Sequence, residues 1–249
     1  MTAIDDFKSS LDAVHALIAL EDKLQDPPAP EQRAASDGLR GSVVVLTLAC
    51  FEGFLQTLFE EQLDRIVQAK IPLANYNDSL RVSAVFNSLE YAHKGDVGNQ
   101  QKRPERIPTS IMIARTVGAG GFSPRALSST KSNPNSETVS NMFSAVGRKS
   151  AWNALQASFV KRWHEPVIQT FCKDKLDELV RSRNQVAHTA VSNHIVRSYL
   201  TETAAFIDAL GEAALETLDS HIESCISMAQ TLQQAGSAAE DDWASDPEG

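Results

Sequence analysis

Residues 43–67 read VVVLTLACFEGFLQTLFEEQLDRIV, and apolar side chains fall on nearly every side of the helix that this spacing predicts. A surface helix carries one apolar stripe, so a helix that is apolar all round belongs in the middle of a bundle or at an interface. The stretch forms the centre of a helix predicted over 31–69. Gly38, Gly41 and Gly53 each weaken that helix by about 1 kcal/mol relative to alanine, so they mark bends or close helix contacts.

The same 3.6-residue period extends in both directions. Residues 4–24 place Phe7, Leu11, Val14, Leu17 and Ile18, with Ala13, on one stripe, and QDPPAP (25–30) ends it because proline cannot continue a hydrogen-bonded helix. Further helices are predicted over 78–93, 137–146, 148–160 and 170–188. A long final helix is expected over 193–234, capped by Ser192 or Asn193 and closed by Gly236. Residues 94–135 are rich in Gly, Ser, Pro and Asn, which predicts a loop-rich insertion with one apolar piece, TSIMIARTV (109–117). The last residues, SAAEDDWASDPEG (237–249), predict an acidic tail too polar to fold. No convincing strand pattern is present. The expected architecture is therefore all-α, a single domain over 1–235 followed by a disordered tail over 236–249.

Composition narrows the function. The chain has 249 residues and three dispersed cysteines, Cys50, Cys172 and Cys225. Their spacing fits reduced, buried thiols in a cytoplasmic protein rather than a disulfide framework or zinc site. The polar, acidic N-terminus does not read as a signal peptide, and no run approaching 18 apolar residues is evident, so no membrane role is expected. P-loop, dinucleotide-binding, zincin, EF-hand and serine-nucleophile patterns are absent, and neither cofactor nor metal is expected.

The net charge of −9 hides a split: residues 94–197 hold 16 Lys and Arg against 7 Asp and Glu, while the flanks hold 7 against 25. A polyanion responds to the local field within about 10 Å at 0.1 M salt, so a basic block matters to RNA even in an acidic protein.

Inside that block lies RSRNQVAH (181–188). Asn184 and Arg181 share the face of His188, being four and seven residues before it. Arg183 lies about 140° round the helix from the histidine. Asp177, four residues before Arg181, offers that arginine a structural ion pair. By geometry alone the stretch reads first as surface cations complementing a helix C-terminus.

RNQVAH also resembles the R-x4-H motif of the HEPN superfamily (higher eukaryotes and prokaryotes nucleotide-binding domains), matched by Arg183, Asn184 and His188. ACFEGFLQTLFEE (49–61) is similar to the central helix of HEPN proteins from prokaryotic toxin–antitoxin and phage-defence loci. SNPNSETVSNMFSAVG (132–147) resembles the segment before their motif helix. The resemblance implies a HEPN-like helical bundle with long central and C-terminal helices. It also implies a homodimeric, metal-independent endoribonuclease that cleaves RNA by 2′-hydroxyl attack, with a composite site and an antitoxin or defence-system partner. His188 would act as general base or acid, Arg183 would stabilise charge at phosphorus, and Asn184 would orient the histidine or donate to phosphate. If Arg183 serves, the helix is expected to bend at the motif, leaving Arg181 tied to Asp177. The apolar second helix is compatible with the dimer interface. Lys102, Arg103, Arg106, Arg148, Lys149 and Arg181 are candidate contacts to the RNA backbone. The alternative is a non-catalytic HEPN interaction module or adaptor.

Further candidates have plain structural readings beside them. Glu52 anchors a motif arginine or lies on a partly exposed face. His93, His164 and His194 reach RNA or are surface residues. Trp152 and Trp163 stack on bases or pack in the core, and EDDW (240–243) covers a basic groove or is unstructured.

Overall fold

A computed structural model describes residues 2–94, 106–130, 133–163, 165–189, 192 and 195–244. The described residues form α-helices and two short 3-10 turns, Pro30–Gln32 and Leu73–Asn75, without a strand: the chain is all-α, as its periodicity predicts. It forms two compact units. The first comprises Met1–Leu58, Ser132–Asn141 and Ser150–Thr217; the second comprises Phe59–Lys131, Met142–Lys149 and Leu218–Gly249.

The first unit begins with α1 (Ala3–Glu21), whose start is fixed by a capping box between Thr2 and Asp5. Phe7, Leu11, Val14 and Ile18 are buried as predicted, whereas Ala13 is exposed. The stripe continues to Glu21, which is fully buried. Helix α2 (Arg33–Gln68) enters this unit with Val43, Val44, Leu48, Phe51, Phe54 and Leu55 all buried, and Phe54 stacks on Phe7 at 4.4 Å between centroids. Contrary to the sequence reading, α2 is long and apolar enough to cross a membrane by length and composition alone. Half of that apolar window is buried inside the protein, so one face of α2 belongs to the core while Ala49, Gly53 and Thr57 lie exposed, and the helix is not enclosed on all sides.

Helices α6 (Ser136–Ala145), α7 (Ala151–Val160), α8 (Phe171–Thr189) and α9 (Arg197–Ala244) complete the set that contributes to this unit. Phe159, Trp163, Phe171 and Phe206 form one aromatic cluster with centroid separations of 5.2 to 6.3 Å. Trp163 is therefore a packing residue. Trp152 donates its indole N–H to the Ser136 carbonyl at 3.1 Å and the Ser140 hydroxyl at 2.9 Å, which is also a structural role. Gly211 lies against Phe7, where a Cβ would meet the ring at 2.5 Å.

The second unit holds α3 (Asp78–Lys94), α4 (Ile107–Gly118) and α5 (Pro124–Ser128), with α4 and α5 both packed on α3. Part of the expected loop-rich insertion is thus helical. The Gly, Ser and Pro content concealed a helix that buries Ile113, while Ile107 and Ile111 stay exposed; Pro108 sits in its first turn, where the missing N–H has no helical partner to lose. Ile113, Phe122, Ala126 and Leu127 are buried beside Leu80 and Ala84.

The final helix also departs from expectation. It starts at Arg197 rather than 193 and runs through Gly236 to Ala244. One glycine costs a helix only about 1 kcal/mol, and the alanines that follow favour it. Residues 245–249 of the expected tail lie outside the described residues.

Candidate functional site

The R-x4-H segment occupies the C-terminal turns of α8 in the first unit. The register of α8 follows from Cys172, Leu176, Leu179 and Val180, which are buried. That leaves Arg181 and His188 exposed, and Arg183 and Asn184 half-buried. Val186 faces Gly41 of α2, where an added Cβ would come within 2.8 Å of the valine Cγ1. Gly41 therefore marks a close helix contact. The Ser192 hydroxyl, expected as a cap for α9, instead donates to the Asp37 carbonyl.

Two corrections concern the arginines. Asp177 does not pair with Arg181: its carboxylate accepts the Ser136 N–H at 2.8 Å and the Ser136 hydroxyl at 2.7 Å, capping the start of α6. Arg181 has no ion pair among the described residues. The expected bend is also not found, since α8 is helical without interruption to Thr189. Arg183 instead donates from Nη1 to Oδ1 of the adjacent Asn184 at 3.1 Å. The same oxygen accepts the Asn133 Nδ2–H at 3.0 Å.

This shared acceptor organises the candidate site. With Oδ1 holding two donors, the Asn184 amide is oriented and its NH2 has no partner among the described residues. The other Arg183 donors and the His188 ring have none there either. An exposed imidazole, an oriented amide and a fork of guanidinium donors thus lie within six residues of one helix. Such groups can move a proton and hold a phosphate oxygen.

Sequence reasoning missed Asn133 as a contact of the motif. The signal was SNPNS (132–136), a run of helix-starting side chains. Asn135 Oδ1 accepts the Thr138 N–H at 2.8 Å, and the Asn133 carbonyl accepts the Thr138 hydroxyl at 2.9 Å. This capped turn holds the Asn133 amide where it meets Asn184.

It also missed a buried ionic cluster. Glu21 accepts Arg40 Nε at 2.6 Å, Arg197 Nε at 2.6 Å and the Ser36 hydroxyl at 3.1 Å. Arg40 further donates to the Ile195 carbonyl at 3.1 Å and to Asp26 at 3.0 Å. Burial alone would raise the Glu21 carboxyl, but the hydrogen bonds from Arg197, Arg40 and Ser36 outweigh it and hold it below the usual range. The cluster ties together α1, α2 and the connection from α8 to α9.

Of the other candidates, Arg106, Arg148 and Lys149 belong to the second unit. Arg106 donates to the Tyr91 carbonyl at 2.8 Å and lies over the Tyr91 ring. Lys149 is exposed, and Arg148 is half-buried. Glu52 is half-buried on α2, and His93 is exposed near the end of α3. Lys102, Arg103, His164 and His194 lie outside the described residues.

An all-α chain with R-x4-H closing the helix before the last one defines the HEPN class. The chain belongs to the RiboL-PSP-HEPN family, whose family model matches residues 8–216. No curated protein and no solved structure matches it. Membership points to RNA cleavage or a function related to nucleotide binding.

Proposed function

We propose that this HEPN protein is a metal-independent endoribonuclease, with Arg183, Asn184 and His188 as its catalytic residues. The observation that carries the reading is the doubly occupied Asn184 Oδ1, which leaves amide and guanidinium donors available on the helix that presents His188. In the reaction, imidazole takes the proton from an RNA 2′-hydroxyl as that oxygen attacks the adjacent phosphorus. The bond to the 5′-oxygen breaks, and that oxygen takes up a proton. The products are a 2′,3′-cyclic phosphate and a 5′-hydroxyl. Arg183 and the Asn184 NH2 steady the charge that builds on the non-bridging oxygens.

Two proton transfers with one motif histidine per chain favour a homodimer whose two motifs form a composite site. The apolar face of α2 is not the expected interface, because Val43, Val44, Phe51, Leu55 and Leu58 are already buried within their own chain. The exposed Arg181 extends the cationic surface beside the motif and contacts the RNA backbone; Lys102, Arg103, Arg106, Arg148 and Lys149 are further backbone contacts in this reading. The protein acts in the cytoplasm as a toxin or antiviral-defence effector held by a partner protein.

The test is incubation of total cellular RNA with the purified chain in EDTA, wild type against His188→Ala, followed by analysis of product ends. Cyclic phosphate ends from the wild type alone are expected. Uncut RNA with a folded protein, or equal cutting by His188→Ala, overturns the reading and favours a non-catalytic interaction module.

A further inference from the structure

The second unit holds an arginine, Arg148, that is half-buried and makes no ion pair among the described residues. Arg148 follows the left-handed turn at Gly147 (φ +87°), directly after α6. Its Nε is buried and has no hydrogen-bond partner. The acids of this unit with assigned partners are engaged elsewhere: Asp219 and Glu223 hold Arg65, and Asp78 holds Arg81.

Other polar groups are linked to this turn through contacts with Val146 and Gly147. Tyr76 is 6% exposed, and its hydroxyl is buried without a partner. Burial raises its phenol, and the Cys225 charge adds to that, so the hydroxyl keeps its proton and remains a donor. The His221 Nε2–H donates to the Val146 carbonyl at 2.9 Å, which fixes the ring against this turn and uses its N–H. Burial and the Arg148 charge hold the ring below the ordinary imidazole range against that hydrogen bond. Asn77 gives its Oδ1 to the Leu80 N–H at 2.9 Å, leaving Nδ2 facing the Cys225 sulfur at 3.9 Å. A Cβ on Gly147 would meet the Asn77 amide at 2.4 Å, so only glycine admits this approach.

A charge taken out of water costs several kcal/mol unless it is paired, and buried donors are rarely left unmade. Here the Arg148 Nε, part of a cation with no ion pair among the described residues, and the neutral Tyr76 hydroxyl are both buried donors without partners. We infer that Arg148 and Tyr76, beside Asn77, form a binding site for a phosphoryl oxyanion, distinct from the α8 motif. A phosphate offers several acceptor oxygens and the negative charge that Arg148 lacks, and a guanidinium fork suits its geometry. The ligand is a free phosphate or phosphate ester, or a phosphodiester of the RNA backbone.

The test is calorimetric titration of the full chain with inorganic phosphate, and separately with an uncleavable 2′-deoxy oligonucleotide. Wild type, Arg148→Gln, Tyr76→Phe and His188→Ala are compared. Phosphate binding is expected in wild type and His188→Ala, with loss of at least tenfold in Arg148→Gln and about tenfold in Tyr76→Phe, the size of one hydrogen bond to a charged group. Oligonucleotide that displaces phosphate identifies RNA as the source; phosphate binding without oligonucleotide binding identifies a small phosphate. The inference is overturned by the absence of phosphate binding, by equal binding in Arg148→Gln and Tyr76→Phe, or by loss of binding in His188→Ala alone. Because binding is read without RNA cleavage, the site and the proposed ribonuclease activity stand or fall independently.

Discussion

Arg40 and Arg183 carry the same guanidinium into opposite surroundings. Arg40 is nearly fully buried, and Glu21, Asp26 and the Ile195 carbonyl take up its donors. Arg183 is half-buried, binds one amide oxygen, and has no carboxylate partner among the described residues. The first arrangement locks three segments of backbone; the second leaves charge available. The difference teaches where to look for chemistry in this family member: among the arginines that the fold leaves without acids.

The predictions test that contrast, beginning with the largest effect. Under the ribonuclease reading, Arg183→Ala and His188→Ala lose RNA cleavage by at least about 100-fold, the usual contribution of a positioned acid or base, with unchanged thermal midpoints. If either variant instead unfolds early, its side chain belongs with Arg40 among the structural groups. Arg40→Ala should do the reverse. It leaves Glu21 with less compensation, and a broken buried pair costs roughly 3–5 kcal/mol, readable as a lower denaturant midpoint.

Asn133→Ala removes one of the two donors that orient Asn184. We expect cleavage to fall about tenfold through kcat with little change in KM, since the loss is one of orientation rather than binding. Asn133→Gln should recover part of it. A wild-type rate in Asn133→Ala would show that Arg183 alone suffices to hold the amide.

Acid supplies a graded version of the same comparison. The Glu21 carboxyl is held below its unfolded range, so its contribution to stability is complete above the ordinary carboxylate pKa. It is lost as pH falls through that range towards the folded value. Denaturant titrations between pH 6 and 3 should therefore show a steeper decline for wild type than for Glu21→Gln. Parallel declines would mean that Glu21 titrates alike in both states.

The smallest effect is expected at Arg181. With Asp177 committed to Ser136, Arg181→Ala should shift stability by no more than about 0.5 kcal/mol. Its effect should emerge as a reduction of about one in the salt-dependence slope of RNA binding. A loss of stability beyond that limit would restore the ion pair that helix spacing suggested.

Much of this was legible in the chain. Residues 43–67 specify a helix with a broad buried face because apolar side chains fall on nearly every side, although Ala49, Gly53, Thr57 and Val67 remain exposed. The spacing of Phe171, Leu176, Leu179 and Val180 sets the register that presents Arg181 and His188. Short-range signals of this kind are local: they depend on 100° per residue and on which side chains avoid water.

Tertiary packing decided the remainder. Helix spacing offered Asp177 to Arg181, but the Ser136 N–H and hydroxyl, 41 residues away, satisfy that carboxylate instead. Asn133 reaches Asn184 across 51 residues, and Glu21 meets Arg197 across 176. No periodicity records such pairings, because each depends on two segments that meet only once the core has formed. The sequence by itself determined an all-α chain and the helix that carries R-x4-H. Only the fold determined which charged groups on that framework are neutralised and which remain available.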